Sequence, residues 1–445
     1  MCTGRDHQRT NHAAYVADSL KDKHDNLFMS NTTSTDDCGR WICCQLGARE
    51  HYAIPRALCS RGSLGYLITD AWVQPSSLLA KISGAGLANR FHNDLSNARV
   101  LAFNSSAILF ESLARMCRHT EWRTIIDRNR WFQRKIVRAL ESDVPALTAQ
   151  PILVSHSYAA LEPFRFAKTR GWKTILLQID PGPEEERIVA EEVTRVPALA
   201  GDWQAAPTDY WEDWRRECEL ADRIIVNSHW SREGLTRSGI PGGKISIIPL
   251  AYGSGADGSR LTDARVQRKY PDRFTQDRPM RVLFLGQVNL RKGVARLLQA
   301  AQDLRDAPVE FWIVGPVQIA NGDRAAENAR VKWFGPVTRS ETAEKYKAAD
   351  VFILPTLSDG FAMTQLEAQS YGLPLISSRC CGDVVEKDRN GIILEEPSAA
   401  CIEVAIRFCV AHPDRLQTLS AGSYKRNQFT TDVLGGRLQR LGLTL

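Results

Sequence analysis

The chain has 445 residues, more than one hydrophobic core usually serves, so two large domains of roughly 100–200 residues each are expected. Its 43% hydrophobic and 24% charged content is ordinary for a water-soluble globular protein, and no run approaches the ~18 apolar residues of a membrane span, which excludes an integral helical membrane protein. The formal net charge is +6, and the eleven cysteines show no zinc-type spacing. Two adjacent pairs, Cys43-Cys44 and Cys380-Cys381, flank apolar runs; neighbours in a strand point to opposite faces, so they read as buried thiols of a cytoplasmic enzyme rather than as a metal or redox pair.

Residues 1–40 are polar and charged, lack the apolar core of a secretory signal, and read as a flexible arm. A first α/β domain is expected over 41–255, with strands at Trp41–Gly47, Gly65–Asp70, Val100–Asn104, Pro151–Ser155, Lys173–Asp180, Arg223–Asn227 and Ile245–Leu250. Gly47 ends the first of these and permits close approach of a substrate to the backbone, which makes Glu50 and His51 pocket candidates. His156 tips the fourth strand. Between Arg115 and Arg138 eight basic residues face only Glu121 and Asp127, an excess equal to the whole net charge, interleaved with Trp122, Ile125, Trp131, Phe132 and Ile136. Such a segment either lies on an anionic membrane surface or packs with a solvated basic face; no nucleic-acid module accompanies it. Glu184–Glu186, after Pro181-Gly-Pro183, reads as a helix start favoured by its dipole, and no aspartate motif for a divalent metal appears.

Residues 256–279 are rich in Gly, Ser, Asp and Arg and read as an interdomain linker. The second domain, 280–420, alternates more cleanly: strands at Arg281–Gly286, Val309–Gly315, Val331–Gly335, Asp350–Thr356, Leu373–Ser378 and Gly391–Leu394 are separated by helical stretches, as in a doubly wound parallel sheet. Gly286-Gln-Val-Asn-Leu-Arg-Lys-Gly293 joins its first strand to its first helix, the usual place of a phosphate loop. The loop leaving the strand Val351–Leu354 carries Asp359, and a helix expected from Phe361 carries Glu367. Ligands lie outside the carboxyl ends of such strands, and helix-start N–H groups favour phosphate, so two carboxylates would bracket a diphosphate there.

Ser-Asp-Gly-Phe-Ala-Met-Thr-Gln-Leu-Glu-Ala, 358–368, resembles the Glu-Gly-Phe-Gly…Leu-Glu-Ala segment of retaining glycosyltransferases of the large group 1 family (glycosyltransferase family 4). The resemblance runs from Trp41 onward and is strongest from Ala221 to Glu396. It implies two Rossmann-like doubly wound domains facing each other across a cleft, the GT-B architecture, with residues 421–445 crossing back to the first domain. It also implies a hexosyltransferase that takes a nucleoside diphosphate sugar, uses no cofactor or metal, and retains the anomeric configuration. Residue by residue, the resemblance assigns Lys292 and the position of Gln287 to the donor diphosphate, with Arg291 as the substitute cation. Asp359, Gly360, Phe361, Ala362 and Met363 would meet sugar and phosphate, and Glu367 the ribose. It places His156 near the reacting sugar and Gly47, Glu50 and His51 at the donor–acceptor junction. Asp359 stands where the family has Glu, Ala362 where it has Gly, and Gln287 where it has Arg.

The partners so implied are a nucleotide sugar and an acceptor saccharide or lipid-linked saccharide, with no nucleic acid, in polysaccharide or glycoconjugate synthesis on the cytoplasmic side of a membrane. The competing readings are a nucleotide-sugar epimerase or hydrolase on the same scaffold, a catalytically silent nucleotide-sugar-binding module, and a membrane-surface scaffold.

Overall fold

The computed structural model describes residues 40–74, 90–116, 121–142, 144, 150–252, 268–320, 328–423 and 427–445. The expected arm through residue 39 and the linker through residue 267 lie outside the described residues.

Seven strands form the first sheet: β1 (Trp41–Gln45), β2 (Leu64–Thr69), β3 (Val100–Ala102), β4 (Ile152–His156), β5 (Lys173–Leu177), β6 (Arg223–Val226) and β7 (Ile245–Ile247). They lie in the order β3-β2-β1-β4-β5-β6-β7, every pair parallel. The second sheet holds β8 (Met280–Leu285), β9 (Val309–Val314), β10 (Val331–Gly335), β11 (Val351–Leu354), β12 (Leu375–Ser378) and β13 (Gly391–Leu394), in the order β10-β9-β8-β11-β12-β13 and again all parallel. Parallel strands covered by helices on both faces must be apolar throughout, and β1, β4 and β11 are buried at every position. Both strand orders reverse direction at one point, between β1 and β4 and between β8 and β11. A doubly wound sheet opens its ligand crevice at such a point.

Two apolar layers flank the first sheet. One gathers Ile42, Phe132, Ile136, Leu176 and Trp214, the other Trp41, Leu58, Ile175, Leu434 and Leu438. The last two residues belong to the helix Thr431–Leu443, which packs on the helix Ala53–Cys59 of the first domain. Arg61 secures it through Asp432 at 2.8 Å and Gln439 at 2.9 Å. Gly442 lets this helix lie against Trp41: a Cβ there would come within 2.7 Å of the indole.

One expectation changes in detail. The described end of the expected linker is built into the second domain rather than spanning a gap. Arg268 donates to the carbonyls of Tyr371 (3.0 Å) and Ala349 (2.7 Å), and the Arg278 guanidinium grips Asp350 at 2.7 and 2.8 Å. The basic segment contains one long helix, Glu121–Ser142, whose Phe132 and Ile136 are fully buried. Several of its arginines are neutralised: Arg128 pairs bidentately with Glu111 at 2.7 and 3.0 Å, Arg130 with Asp209 at 3.0 Å, and Arg123 with Asp127 at 2.7 Å. Among the described residues no helix is long and apolar enough to cross a membrane.

Gly442→Val is expected to lower the melting temperature by several degrees, about 2–4 °C per kcal/mol for domains of this size, because the branched side chain lifts the terminal helix from Trp41. Differential scanning calorimetry measures this; an unchanged transition would show that the helix does not stabilise the first domain.

Candidate functional site

β8 ends at Leu285, and the chain turns through Gly286 and Gln287 to the short 3-10 turn Leu290–Lys292, which Asn289 caps by accepting from the Lys292 N–H at 3.1 Å. Gly293 then starts the helix Val294–Asp303 with φ 74°. A Cβ on Gly293 would stand 2.0 Å from the carbonyl oxygen of Pro355, so only glycine lets this loop lie against the loop leaving β11. The two loops are tied further where the Arg291 carbonyl accepts from the Leu357 N–H at 2.9 Å and the Thr356 hydroxyl at 3.1 Å.

This close approach assembles the cluster at the centre of the site. The Lys292 ammonium pairs with Asp359, and Arg291 donates to the same Asp359 oxygen at 3.3 Å and to the Ser358 carbonyl at 3.2 Å. The other Asp359 oxygen accepts from the Phe361 N–H at 3.1 Å. Burial would raise the Asp359 pKa, but the two cations and the hydrogen bonds outweigh it and hold the carboxyl down at about 2. Asp359 is therefore a fixed, ionised acceptor. The methylene it lacks relative to the family's Glu does not prevent it from reaching both cations. Gln287 is exposed and away from this pairing, so the two positive charges come from adjacent residues, Arg291 and Lys292.

The first domain closes the cluster from the other side. Glu185, near the start of the helix Pro183–Arg195, lies 3.7 Å from Arg291 and accepts from the Ser358 hydroxyl at 2.9 Å, which in turn accepts from the Trp230 indole at 3.1 Å. Burial pushes the Glu185 carboxyl up to about 8; Arg291 opposes this, while Asp180 and Asp359 add to it. Nearby, the Gly360 carbonyl accepts from the Ser228 hydroxyl at 2.7 Å, and a Cβ on Gly360 would meet the Ile179 carbonyl at 2.1 Å. Farther along the same face, Glu192 takes the Arg296 guanidinium at 2.9 and 3.3 Å. Sequence reading assigned Glu185 only to a helix start and passed over Ser358, Trp230 and Arg296; nothing local marks them.

The helix carrying Glu367 begins at Thr364, three residues later than expected, and runs only to Ser370. Ala362, at φ 62°, makes a left-handed turn ahead of it. Of the expected helix-start donors, the Phe361 N–H is taken by Asp359 and its ring is buried against Phe429, while among the described residues the N–H groups of Ala362 and Met363 have no acceptor. Glu367 accepts from the Tyr346 hydroxyl at 2.9 Å, and burial raises its pKa. The charge of the exposed Arg339 opposes the rise at Glu367, and at His51 it adds to the lowering that burial causes.

His156 and Glu50 stand apart from the ion cluster. With Gln178, Ile179 and Asn227 they line a cavity of about 10 Å³, at the lower limit for one water molecule. His156 is 6% exposed, its Nδ1 has no partner among the described residues, and burial with the Arg49 charge lowers its pKa to about 3, so the ring is neutral. Burial raises the Glu50 carboxyl to about 7. Glu50, His51 and Tyr52 form three successive left-handed residues, a strained run of the kind that collects at functional sites. Gly47 precedes it, also left-handed, its N–H fixed on Asp70 at 2.8 Å. The cavity adjoins the ion cluster through Ile179 and Asn227, both of which also pack on Gly360.

Residues 279–411 match the family model described as glycosyl transferases group 1. The D-inositol 3-phosphate glycosyltransferase of Pseudarthrobacter chlorophenolicus is 28% identical over 194 residues, 40% of this chain and 45% of that protein. The protein of the same name from Xylanimonas cellulosilytica is 27% identical over 222 residues, 46% and 52% respectively. The chain thus spans about half the length of the curated relatives it matches. Of solved structures, Anabaena HepE in complex with UDP aligns over 91% of this chain and 99% of that one (TM-score 0.56, 14% identity). Sucrose-phosphate synthase from Thermosynechococcus elongatus aligns over 91% and 98% (TM-score 0.60, 16% identity). The architecture is GT-B, two Rossmann-like domains with parallel sheets of seven and six strands. The second domain carries the segment typical of group 1 glycosyltransferases.

Glu185 makes the site proton-linked. Its folded-state pKa, about 8, lies above the ordinary carboxylate value, so the folded protein holds a proton that the unfolded chain has lost, and stability falls as pH rises from about 4.5 to 8. Glu50 and Glu217, raised for the same reason to about 7 and about 8, act in the same direction. Glu185→Gln should therefore flatten, without abolishing, the decline in melting temperature between pH 5.5 and 8.5; a decline as steep as that of the wild type would remove Glu185 from the linkage.

Proposed function

We propose that this protein transfers a hexosyl unit from a nucleoside diphosphate sugar to the hydroxyl of an acceptor saccharide or lipid-linked saccharide, retaining the anomeric configuration. The observation that carries this reading is the pairing of Arg291 and Lys292 with Asp359 where the chain leaves β8 and β11. Two adjacent cations on a glycine-bounded loop suit a diphosphate, whose charge grows as its bond to the sugar breaks. An ionised carboxylate beside them suits sugar hydroxyls, which can only donate to it. The segment 279–411, which matches the group 1 family, contains all three residues, and the HepE protein, similar in fold, was solved with UDP and with UDP-glucose.

In this mechanism the diphosphate replaces Asp359 as the main partner of Lys292, and Arg291 supplies the charge that Gln287 lacks. The unengaged N–H groups of Ala362 and Met363 add hydrogen bonds to the phosphate. Asp359, held by the Phe361 N–H, keeps its orientation and takes sugar hydroxyls, and Glu367 takes ribose hydroxyls beside Tyr346. The neutral His156 offers a hydrogen bond to the sugar from the first domain. No protein nucleophile is needed: the leaving phosphate accepts the proton of the attacking hydroxyl on the same face. Contact between Gly360 and the Ile179–Asn227 region excludes water, which would otherwise compete as acceptor.

Lys292→Ala should reduce transfer at least 100-fold, about 2.7 kcal/mol of transition-state stabilisation, with an unchanged circular dichroism spectrum. Glu367→Ala should weaken donor binding about tenfold in calorimetry, with a smaller effect on turnover. A panel of nucleoside diphosphate sugars screened for thermal stabilisation supplies the donor for both assays. Stabilisation by none of them, or full activity in Lys292→Ala, would end this reading.

A further inference from the structure

The helix Asn104–Met116 exposes an apolar stripe that the proposed chemistry does not use. Ile108, Leu109, Leu113 and Met116 are 40%, 61%, 51% and 78% exposed, four of the nine large hydrophobic side chains exposed among the described residues. Their spacing of one, five and eight residues puts them on one side of the helix. The other side is pinned to the helix Glu121–Ser142: Phe110 stacks on Trp131 at 5.5 Å, the Trp131 indole donates to the Ser106 hydroxyl at 3.1 Å, and Glu111 holds Arg128. The stripe is thus fixed facing outward.

The basic residues of the neighbouring helix are sorted by partner. Arg123, Arg128 and Arg130 are each paired with a carboxylate. Arg134, Lys135 and Arg138 have no carboxylate partner among the described residues, and with Ser106, Leu109, Phe110, Leu113 and Trp131 they line one groove of about 270 Å³ between the two helices. An amphipathic surface with lysine and arginine beside exposed leucines matches the chemistry of an anionic bilayer: phosphates outside, acyl chains within. A folded protein partner would need acidic groups set along an apolar ridge, and a neutral surface would leave three cations unanswered.

We propose that the helix pair Asn104–Met116 and Glu121–Ser142 is a peripheral docking surface for anionic membranes, with the stripe from Ile108 to Met116 inserted at the headgroup boundary and Arg134, Lys135 and Arg138 on lipid phosphates. This differs from the expectation drawn from the sequence, in which the whole basic segment 115–138 made the contact: the insertion comes from the preceding helix, and only the carboxyl-terminal cations take part.

The test is sedimentation of the full chain with vesicles of phosphatidylcholine alone or with 30% phosphatidylglycerol. Binding to the anionic vesicles alone, weakened by salt, is expected. Each basic group near the surface is worth about fivefold in partitioning, so Arg134→Gln/Lys135→Gln/Arg138→Gln should lose about 100-fold. Leu109→Glu/Leu113→Glu, on exposed positions that should leave the melting temperature unchanged, should also abolish sedimentation. Arg123→Gln/Arg130→Gln, which removes paired arginines, should bind as the wild type does. Equal binding to neutral vesicles, no binding, or unaltered binding by either of the first two variants would overturn the proposal. So would a wild-type dimer that Leu109→Glu/Leu113→Glu dissociates in the absence of vesicle binding. None of these outcomes depends on sugar transfer, so the docking surface and the catalytic reading fail separately.

Discussion

Two positive charges taken out of water at the junction of two domains organise the rest of this structure. Arg291 and Lys292 sit on a loop that Gly293 presses against the β11 exit, where solvent is largely excluded. Buried cations need carboxylates, because desolvation costs several kcal/mol per ion and removing one partner of such a pair costs about 3–5 kcal/mol. Asp359 answers from the second domain as an ionised carboxylate, whereas Glu185 approaches Arg291 from the first with a carboxyl whose pKa burial raises to about 8. The ionised Asp359 thus neutralises the loop, and Glu185 joins the first domain to it through the Ser358 hydroxyl and its approach to Arg291.

The same arrangement explains why the carboxylates differ. Asp359 faces both cations and a backbone N–H and is held down at about 2; Glu185 shares one cation with two nearby carboxylates and is pushed up to about 8. Glu367, with a phenol as its hydrogen-bond donor and Arg339 beyond, is raised by burial. The three acids therefore shift in two directions, Asp359 down and Glu185 and Glu367 up, according to whether opposite charge or burial dominates at each. In the proposed reading, a diphosphate entering there would compete with Asp359 for the two cations.

The strands were legible because buried parallel strands leave a local signature, a short unbroken apolar run ended by a polar or glycine turn. All thirteen expected runs became strands, at Val331–Gly335 and Gly391–Leu394 without a shift of either end. The helix after β11 was less legible: Phe361 looked helical, but its ring is needed in the core beside Phe429, and Ala362 takes a left-handed turn before the helix begins. At the site, Lys292 and Asp359 were legible through spacing and resemblance. Glu185 and Trp230 were not, since each meets its partner across more than a hundred residues. His156 was read as a strand-end polar residue and Glu50 as a pocket candidate beyond the Gly47 turn, and the structure gives them a small cavity next to the ion cluster rather than a place within it.

What the sequence determined by itself was the repeated strand–helix order, the two sheets that follow from it, and the residues at each strand's carboxyl end, because burial of short apolar runs is a local property. The tertiary structure alone decided which of those residues meet. It sent Glu185 to Arg291, left Gln287 in solvent, and divided the arginines of one helix into paired and unpaired sets. Charge pairing depends on distance in space, and residues 173 positions apart, as Ser358 and Glu185 are, carry no sign of it along the chain.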